Sequence, residues 1–212
     1  MTTEEARELF MKGLLLLNNI ELQNELIAQM PYMSEEFLPS FAKERYAMGE
    51  VDEWPNATGE FGRTPTNPIL VNRTWGEITY LSRLATADNQ RMIFHRVGSM
   101  EGAIDAFELV SVDGKFFDVL FVDMYHHNCS KKAPVGYTLL EFVDGITGTS
   151  ENNPNFPAQV SEALFKSAVS KFGAPILSPS VFDFNRDQAA KLIDKARQAN
   201  NLDGKIIGKM TI

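Results

Sequence analysis

The spacing of hydrophobic and polar positions divides the chain into four parts. Residues 1–49 show helical spacing, and 50–75 form a long ordered loop broken by proline and glycine. Residues 76–143 alternate in the manner of β-strands, and 144–212 return to helical spacing. Because no long polar linker separates these parts, we expect a single domain over residues 1–212.

The helical parts carry apolar side chains every three to four residues, which is the pattern of amphipathic helices. The first stretch begins with acidic residues, where the helix dipole favours negative charge, and the pair Asn18-Asn19 is a candidate interruption of it. The predicted helices are residues 3–30, 34–48, 158–172 and 186–200.

The middle part predicts β-strands joined by short turns. Asp113-Gly114 is a strong signal for a two-residue hairpin, and Asp88-Asn89 is a weaker one. Short turns join only antiparallel neighbours. The sequence therefore predicts an α+β fold, an antiparallel β-meander of about five strands covered by N-terminal and C-terminal helices. The predicted strands are residues 77–86, 90–97, 104–112, 115–126 and 136–143.

The two turns also predict which residues of neighbouring strands face each other. A loop at 113–114 pairs Leu109 with Asp118, and a loop at 88–89 pairs Ser82 with His95. Strand 115–126 is apolar on both sides, so we expect it to be covered on both faces.

Composition narrows the functional classes. The chain has 20 Lys plus Arg against 28 Asp plus Glu, a net charge of −8, and Lys131-Lys132 is its nearest approach to a basic cluster. Nucleic-acid binding is disfavoured because such binders present a basic face. No apolar run reaches the roughly 18 residues of a membrane helix. A single cysteine, Cys129, and an acidic start without a secretory pattern favour the cytoplasm.

A dense polar cluster stands at the end of the central predicted strand. Asp123, His126 and His127 carry the carboxylate and imidazole groups that hold divalent metals. In an extended strand Asp123 and His127 share a face while His126 points the other way. A metal site here is one hypothesis, with His95 as a further ligand. A polar strand end bonded to loop backbone is the other, and it is the more common situation.

The predicted contact between Ser82 and His95 suggests a second kind of chemistry. An imidazole can take the proton of a serine hydroxyl and so activate a nucleophile. The candidate catalytic residues are therefore His95, Ser82 and Asp123. No nucleophile-elbow motif accompanies them, and a buried histidine satisfied by a hydroxyl explains the same pairing.

Several short segments resemble those of a group of small uncharacterised bacterial proteins. The resemblance covers about residues 60–140 and rests on the segments Pro65-Thr66-Asn67-Pro68-Ile69, Phe94-His95-Arg96, Asp123-Met124-Tyr125-His126 and Lys132-Ala133-Pro134. It implies a bacterial cytoplasmic origin. It brings no activity, and no catalytic residue is transferred from it.

Three functional hypotheses follow. The first is an acidic cytoplasmic module that binds another protein, as a toxin-neutralising or adaptor protein does, because the charge is negative and no catalytic motif is present. The second is a metal-assisted hydrolase that uses the strand-end His/Asp cluster with a divalent metal as its cofactor. The third is a structural homo-oligomer, because the run Leu14-Leu15-Leu16-Leu17 is apolar on more than one face.

Overall fold

A computed structural model gives the conformation of the chain, and it describes residues 1–30, 35–100, 103–141 and 144–200. The helices of these ranges are α1 (Thr3–Asn18), α2 (Ile20–Ala28), α3 (Ser40–Tyr46), α4 (Arg73–Ser82), α5 (Val160–Phe172) and α6 (Arg186–Asn200). The strands are β1 (Ile69–Leu70), β2 (Leu84–Thr86), β3 (Met92–Met100), β4 (Ile104–Ser111), β5 (Phe117–Asp123), β6 (Tyr137–Leu139) and β7 (Gly148–Thr149).

The main sheet has five strands in the order β1-β5-β4-β3-β7. Strands β3, β4 and β5 form an antiparallel meander, in which Leu109 faces Asp118 and Phe107 faces Leu120. The predicted register of this hairpin is therefore confirmed. The edge strands β1 and β7 run parallel to β5 and β3. The prediction of a purely antiparallel sheet is wrong, because the chain returns to both edges by crossovers rather than by hairpins.

The first predicted strand, 77–86, is also wrong over most of its length. Residues up to Ser82 belong to helix α4, and only Leu84–Thr86 is extended. Nine of the ten residues of α4 are buried. A helix that is buried on nearly every side has no polar stripe, so its 3.6-residue period is hidden, and its β-branched and aromatic residues read as a strand.

The last predicted strand, 136–143, does not join the main sheet. Its described part, Tyr137–Leu139, pairs with β2 in a separate two-stranded antiparallel sheet. Residues 142–143 lie outside the described part of the chain. A turn does form at Asp88-Asn89, where the Thr86 amide donates to the Gln90 carbonyl oxygen, but it spans residues 87–89 rather than the two residues predicted. It leads from β2 to the start of β3 through a bridge between Ala85 and Arg91, whereas the partner strand of β2 is β6.

Both faces of the main sheet are covered, as the apolar pattern of β5 predicts. On one face, side chains such as Phe94, Phe107 and Leu120 pack with Tyr80 and Leu81 of α4. On the other face, Ile93, Val110 and Phe117 pack with residues of α5 and α6. The C-terminal cover is confirmed. The N-terminal helix α1 packs against Ile78 of α4 and against residues 174–176. Its contacts in this cluster are with α4 and the segment after α5 rather than with the strands of the main sheet.

The predicted long helix 3–30 is two helices. Asn19 ends α1 and caps α2, since its side chain accepts a hydrogen bond from the Leu22 amide. In the predicted helix 34–48, Ser34 lies outside the described residues, and Pro39 separates a 3-10 turn at Glu35–Phe37 from α3. The two C-terminal helices are confirmed. None of the helices in the described ranges has the length and apolarity that crossing a bilayer requires.

Candidate functional site

The strand-end cluster brings Asp123 and His126 together. The His126 Nε2 atom lies 3.0 Å from the Asp123 carboxylate, and neither side chain is exposed to solvent. The Arg45 guanidinium lies 3.3 Å from the other carboxylate oxygen, and the Tyr125 amide donates to it at 3.1 Å. The charge of Arg45 balances that of Asp123, and Arg45 and the Tyr125 amide both donate to the same carboxylate oxygen. Both oxygens of the buried carboxylate are therefore in contact with groups of the chain itself.

The ring of His126 is enclosed by the long loop. The indole nitrogen of Trp54 is 3.4 Å from His126 Nε2, and the Arg45 guanidinium stacks on the Trp54 ring at 5.0 Å. The Nδ1 atom of His126 is buried, and no described residue is hydrogen-bonded to it. Trp54 therefore covers the His126 ring at the end of β5. The pattern of loop residues in the sequence does not predict this contact.

His127 does not join this pair. Its side chain is exposed, and its ring lies against that of Tyr46, with centroids 3.8 Å apart. Across residues 1–30, 35–100, 103–141 and 144–200, no three His, Cys, Asp or Glu side chains gather as metal ligands would. Of the predicted metal ligands Asp123, His126 and His127, the structure brings only the first two together.

His95 lies elsewhere in the sheet. It pairs with Glu108, which pairs with Val119, whereas Asp123 is four residues further along β5, about 13 Å at 3.3 Å per residue. His95 is buried and stacks on Phe156, with centroids 4.2 Å apart. The catalytic candidates His95 and Asp123 therefore do not share a site.

The predicted contact between His95 and Ser82 is wrong. Ser82 ends α4 rather than lying in a strand, and its hydroxyl accepts a hydrogen bond from the Thr147 amide at 3.1 Å. His95 instead places Nε2 2.9 Å from Glu108, while the Asn153 amide donates to Nδ1 at 3.2 Å. Both ring nitrogens are engaged, so His95 is a satisfied core histidine and the Ser–His nucleophile is not assembled.

One buried acidic pair was missed by the sequence analysis. Glu77 of α4 and Asp105 of β4 are both buried and lie close enough to interact electrostatically. Burial raises the pKa of Glu77 well above its usual value, and the charge of Asp105 raises it further. Arg96 and Ser99 also bind Asp105. The sequence pattern does not reveal this pair, because it predicts a strand where Glu77 lies in helix α4.

An apolar concave surface lies away from these clusters. We call it the groove; it is lined by Phe10 of α1, by Phe165 of α5, by Pro175 and Leu177, and by Phe182, and it encloses about 660 Å³. Phe182 is 75% exposed and Phe165 is 50% exposed. Large exposed aromatic side chains that line one concave surface are uncommon on monomeric proteins and mark interaction sites.

Comparison with known proteins finds no similar protein. No protein-family model matches the chain, and neither a curated protein nor a solved structure is significantly similar to it.

Proposed function

We propose that this protein is a protein-binding module and that the groove is its binding surface. The observation that carries the proposal is the exposure of the Phe165 and Phe182 rings in one apolar groove. Fully burying a Phe side chain is worth about 1.5–3 kcal/mol. Val169, one turn after Phe165 on α5, is also 41% exposed and extends the apolar surface.

The negative net charge of the chain favours a basic protein as the partner. At a net charge of −8 the protein attracts basic proteins over long range and repels its own copies. The groove itself is lined by one anion, Glu162, and one cation, Lys166, so the preference for a basic partner rests on the charge of the whole chain. The occupant we propose is a segment of another protein with an apolar anchor flanked by Lys or Arg. A cytoplasmic toxin-neutralising protein or adaptor works in this way.

Co-purification from the native host tests the proposal with matched variants. Phe182→Ser removes the most exposed ring of the groove, and Phe37→Ser removes a ring that is 63% exposed elsewhere. We expect a basic protein to be retained by the wild type and by the Phe37→Ser variant, to be lost with Phe182→Ser, and to dissociate as salt is raised. A partner retained by all three proteins would overturn the proposal.

A homo-oligomer is the second candidate, because Met11 and Leu15 are 57% and 59% exposed on one side of α1. Light scattering decides between the two. The proposed module is a monomer without its partner. A stable dimer that dissociates on Leu15→Glu substitution favours the homo-oligomer.

A further inference from the structure

A second concave surface lies between the N-terminal helices, the last turn of α4 and the loop after Asp123. We call it the cleft; it encloses about 560 Å³ and shares no lining residue with the groove. Sites for small molecules have volumes of about 300–1,000 Å³. The cleft therefore has room for a small organic ligand.

Gln23 of α2 lines the cleft and is only 2% exposed. Its Nε2 atom donates to the backbone oxygens of Leu16 and Leu17, at 2.9 and 3.3 Å. These two bonds fix the orientation of the amide, so Oε1 is the acceptor that remains. No described residue donates a hydrogen bond to it. An unmet buried acceptor destabilises the folded protein, and a bound ligand with an N–H group would remove that cost.

Asn128 presents a second acceptor of the same kind. It also lines the cleft, and its buried Oδ1 atom accepts no hydrogen bond from the described residues. Its Nδ2 atom points to the Cys129 carbonyl oxygen, at 3.5 Å. Two amide oxygens that lack donors thus line one cleft.

Arg83 supplies a fixed cation at the same place. Its Nε donates to the Leu140 carbonyl oxygen at 2.7 Å, which holds the guanidinium, and no described residue is hydrogen-bonded to its two terminal nitrogens. Lys131 adds a second cation, while Glu50 and Glu141 add two anions. The charges of the cleft therefore balance, which suits a ligand without net charge.

We propose that the cleft binds a small zwitterion of the amino-acid or dipeptide class. The ligand carboxylate pairs with the two terminal nitrogens of Arg83, the bidentate geometry that guanidinium groups favour. Its N–H groups donate to Gln23 Oε1 and Asn128 Oδ1. A phosphate ester fits less well, because the acidic side chains of the cleft oppose a multiply charged anion.

Calorimetric titration tests the proposal on the full chain. The probes are the twenty L-amino acids and glycylglycine, with acetate, methylamine and inorganic phosphate for comparison. We expect at least one zwitterion to bind saturably and more tightly than any comparison ion. Arg83→Gln and Gln23→Leu should each weaken that binding by about tenfold or more, the effect of losing one charged or buried hydrogen bond. The control is Gln29→Leu, an exposed position at the C-cap of the same helix, and it should bind as the wild type does.

The wild-type protein carries its own reporter, in case a variant fails to fold. Cys129 is the single cysteine of the chain and lines the cleft. Burial raises the pKa of its thiol, so its alkylation by iodoacetamide is slow enough to follow. The bound zwitterion should slow that alkylation further. The proposal is overturned if no zwitterion binds, if phosphate or acetate binds as tightly, or if the bound zwitterion leaves Cys129 alkylation unchanged.

Discussion

His95 and Glu108 face each other across β3 and β4, with the imidazole Nε2 2.9 Å from the carboxylate Oε2. Arg197 of α6 reaches the same carboxylate, with its Nε 2.9 Å from Oε1. The Asn153 amide donates to the other imidazole nitrogen, so Nε2 carries the proton and donates it to Glu108. This network fastens α6 to the middle of the sheet.

Replacing the carboxylate should loosen that attachment. Glu108→Gln keeps the shape of the side chain but loses the charge-assisted bonds, and we expect a loss of about 1–3 kcal/mol in the free energy of unfolding. Urea titration at neutral pH measures it. The control is Glu151→Gln. Glu151 is 62% exposed and forms a long ion pair of 3.7 Å with Lys171, and exposed ion pairs contribute little to the free energy of unfolding. Equal losses in both variants would contradict the assignment.

The same carboxylate should make stability fall in acid. Burial by itself raises the pKa of Glu108, but hydrogen bonds from His95 and Arg197, and the charge of Arg197, lower it to about 2. A group with a depressed folded pKa stabilises the protein above its unfolded pKa of about 4.3 and loses that contribution as the pH falls toward about 2. Urea midpoints measured across this window should drop in the wild type and drop less in Glu108→Gln. Parallel curves would contradict the account.

Glu77 should affect the pH dependence of stability in the opposite direction to Glu108. Its pKa is raised by burial and by Asp105, so its contribution is complete below about 4.3 and is lost as the pH rises through its folded pKa. A glutamine can still donate to Asp105 without carrying a titratable proton. We expect Glu77→Gln to flatten the decline in thermal midpoint as the pH rises above about 4.3, the unfolded pKa of Glu77. An equal decline in both proteins would show that Glu77 does not titrate there.

The meander could be predicted from the sequence because its information is local. The Asp113-Gly114 pair predicts the position of the turn, and counting outward from that turn predicts the pairing of Leu109 with Asp118, which the structure has. The edges could not be predicted, since Ile69–Leu70 and Gly148–Thr149 are two residues long and reach the sheet over long separations in sequence. Helix α4 was missed because burial on nearly all sides removes the polar face by which an amphipathic helix is recognised.

The sites were predictable only in part, for a similar reason. Asp123 and His126 are close in sequence, and their contact follows from the end of β5. Arg45 and Trp54 reach the pair from segments more than sixty residues away, and no periodicity encodes such contacts. The predicted contact between His95 and Ser82 depends on Ser82 lying in a strand, whereas Ser82 ends helix α4 and His95 faces Glu108.

The hydrolase hypothesis makes its own prediction at Asp123. Because Arg45 and His126 already occupy the carboxylate, we expect neither added Zn²⁺ nor EDTA to move the thermal midpoint. The matched variants are Asp123→Asn for the buried pair and His127→Ala for an exposed imidazole. A stabilisation by Zn²⁺ that survives in His127→Ala and disappears in Asp123→Asn would instead support a metal site.

The most direct measurement of the central claim is photo-crosslinking at the groove in the native host. A photoreactive phenylalanine analogue replaces Phe182 in one protein and Phe37 in another, two exposed rings on different surfaces. The account predicts a discrete adduct with a basic protein from position 182, weakened by salt, and none from position 37. The claim that the groove binds a partner is contradicted if both positions give the same adducts, or if position 182 crosslinks only to a second copy of the chain.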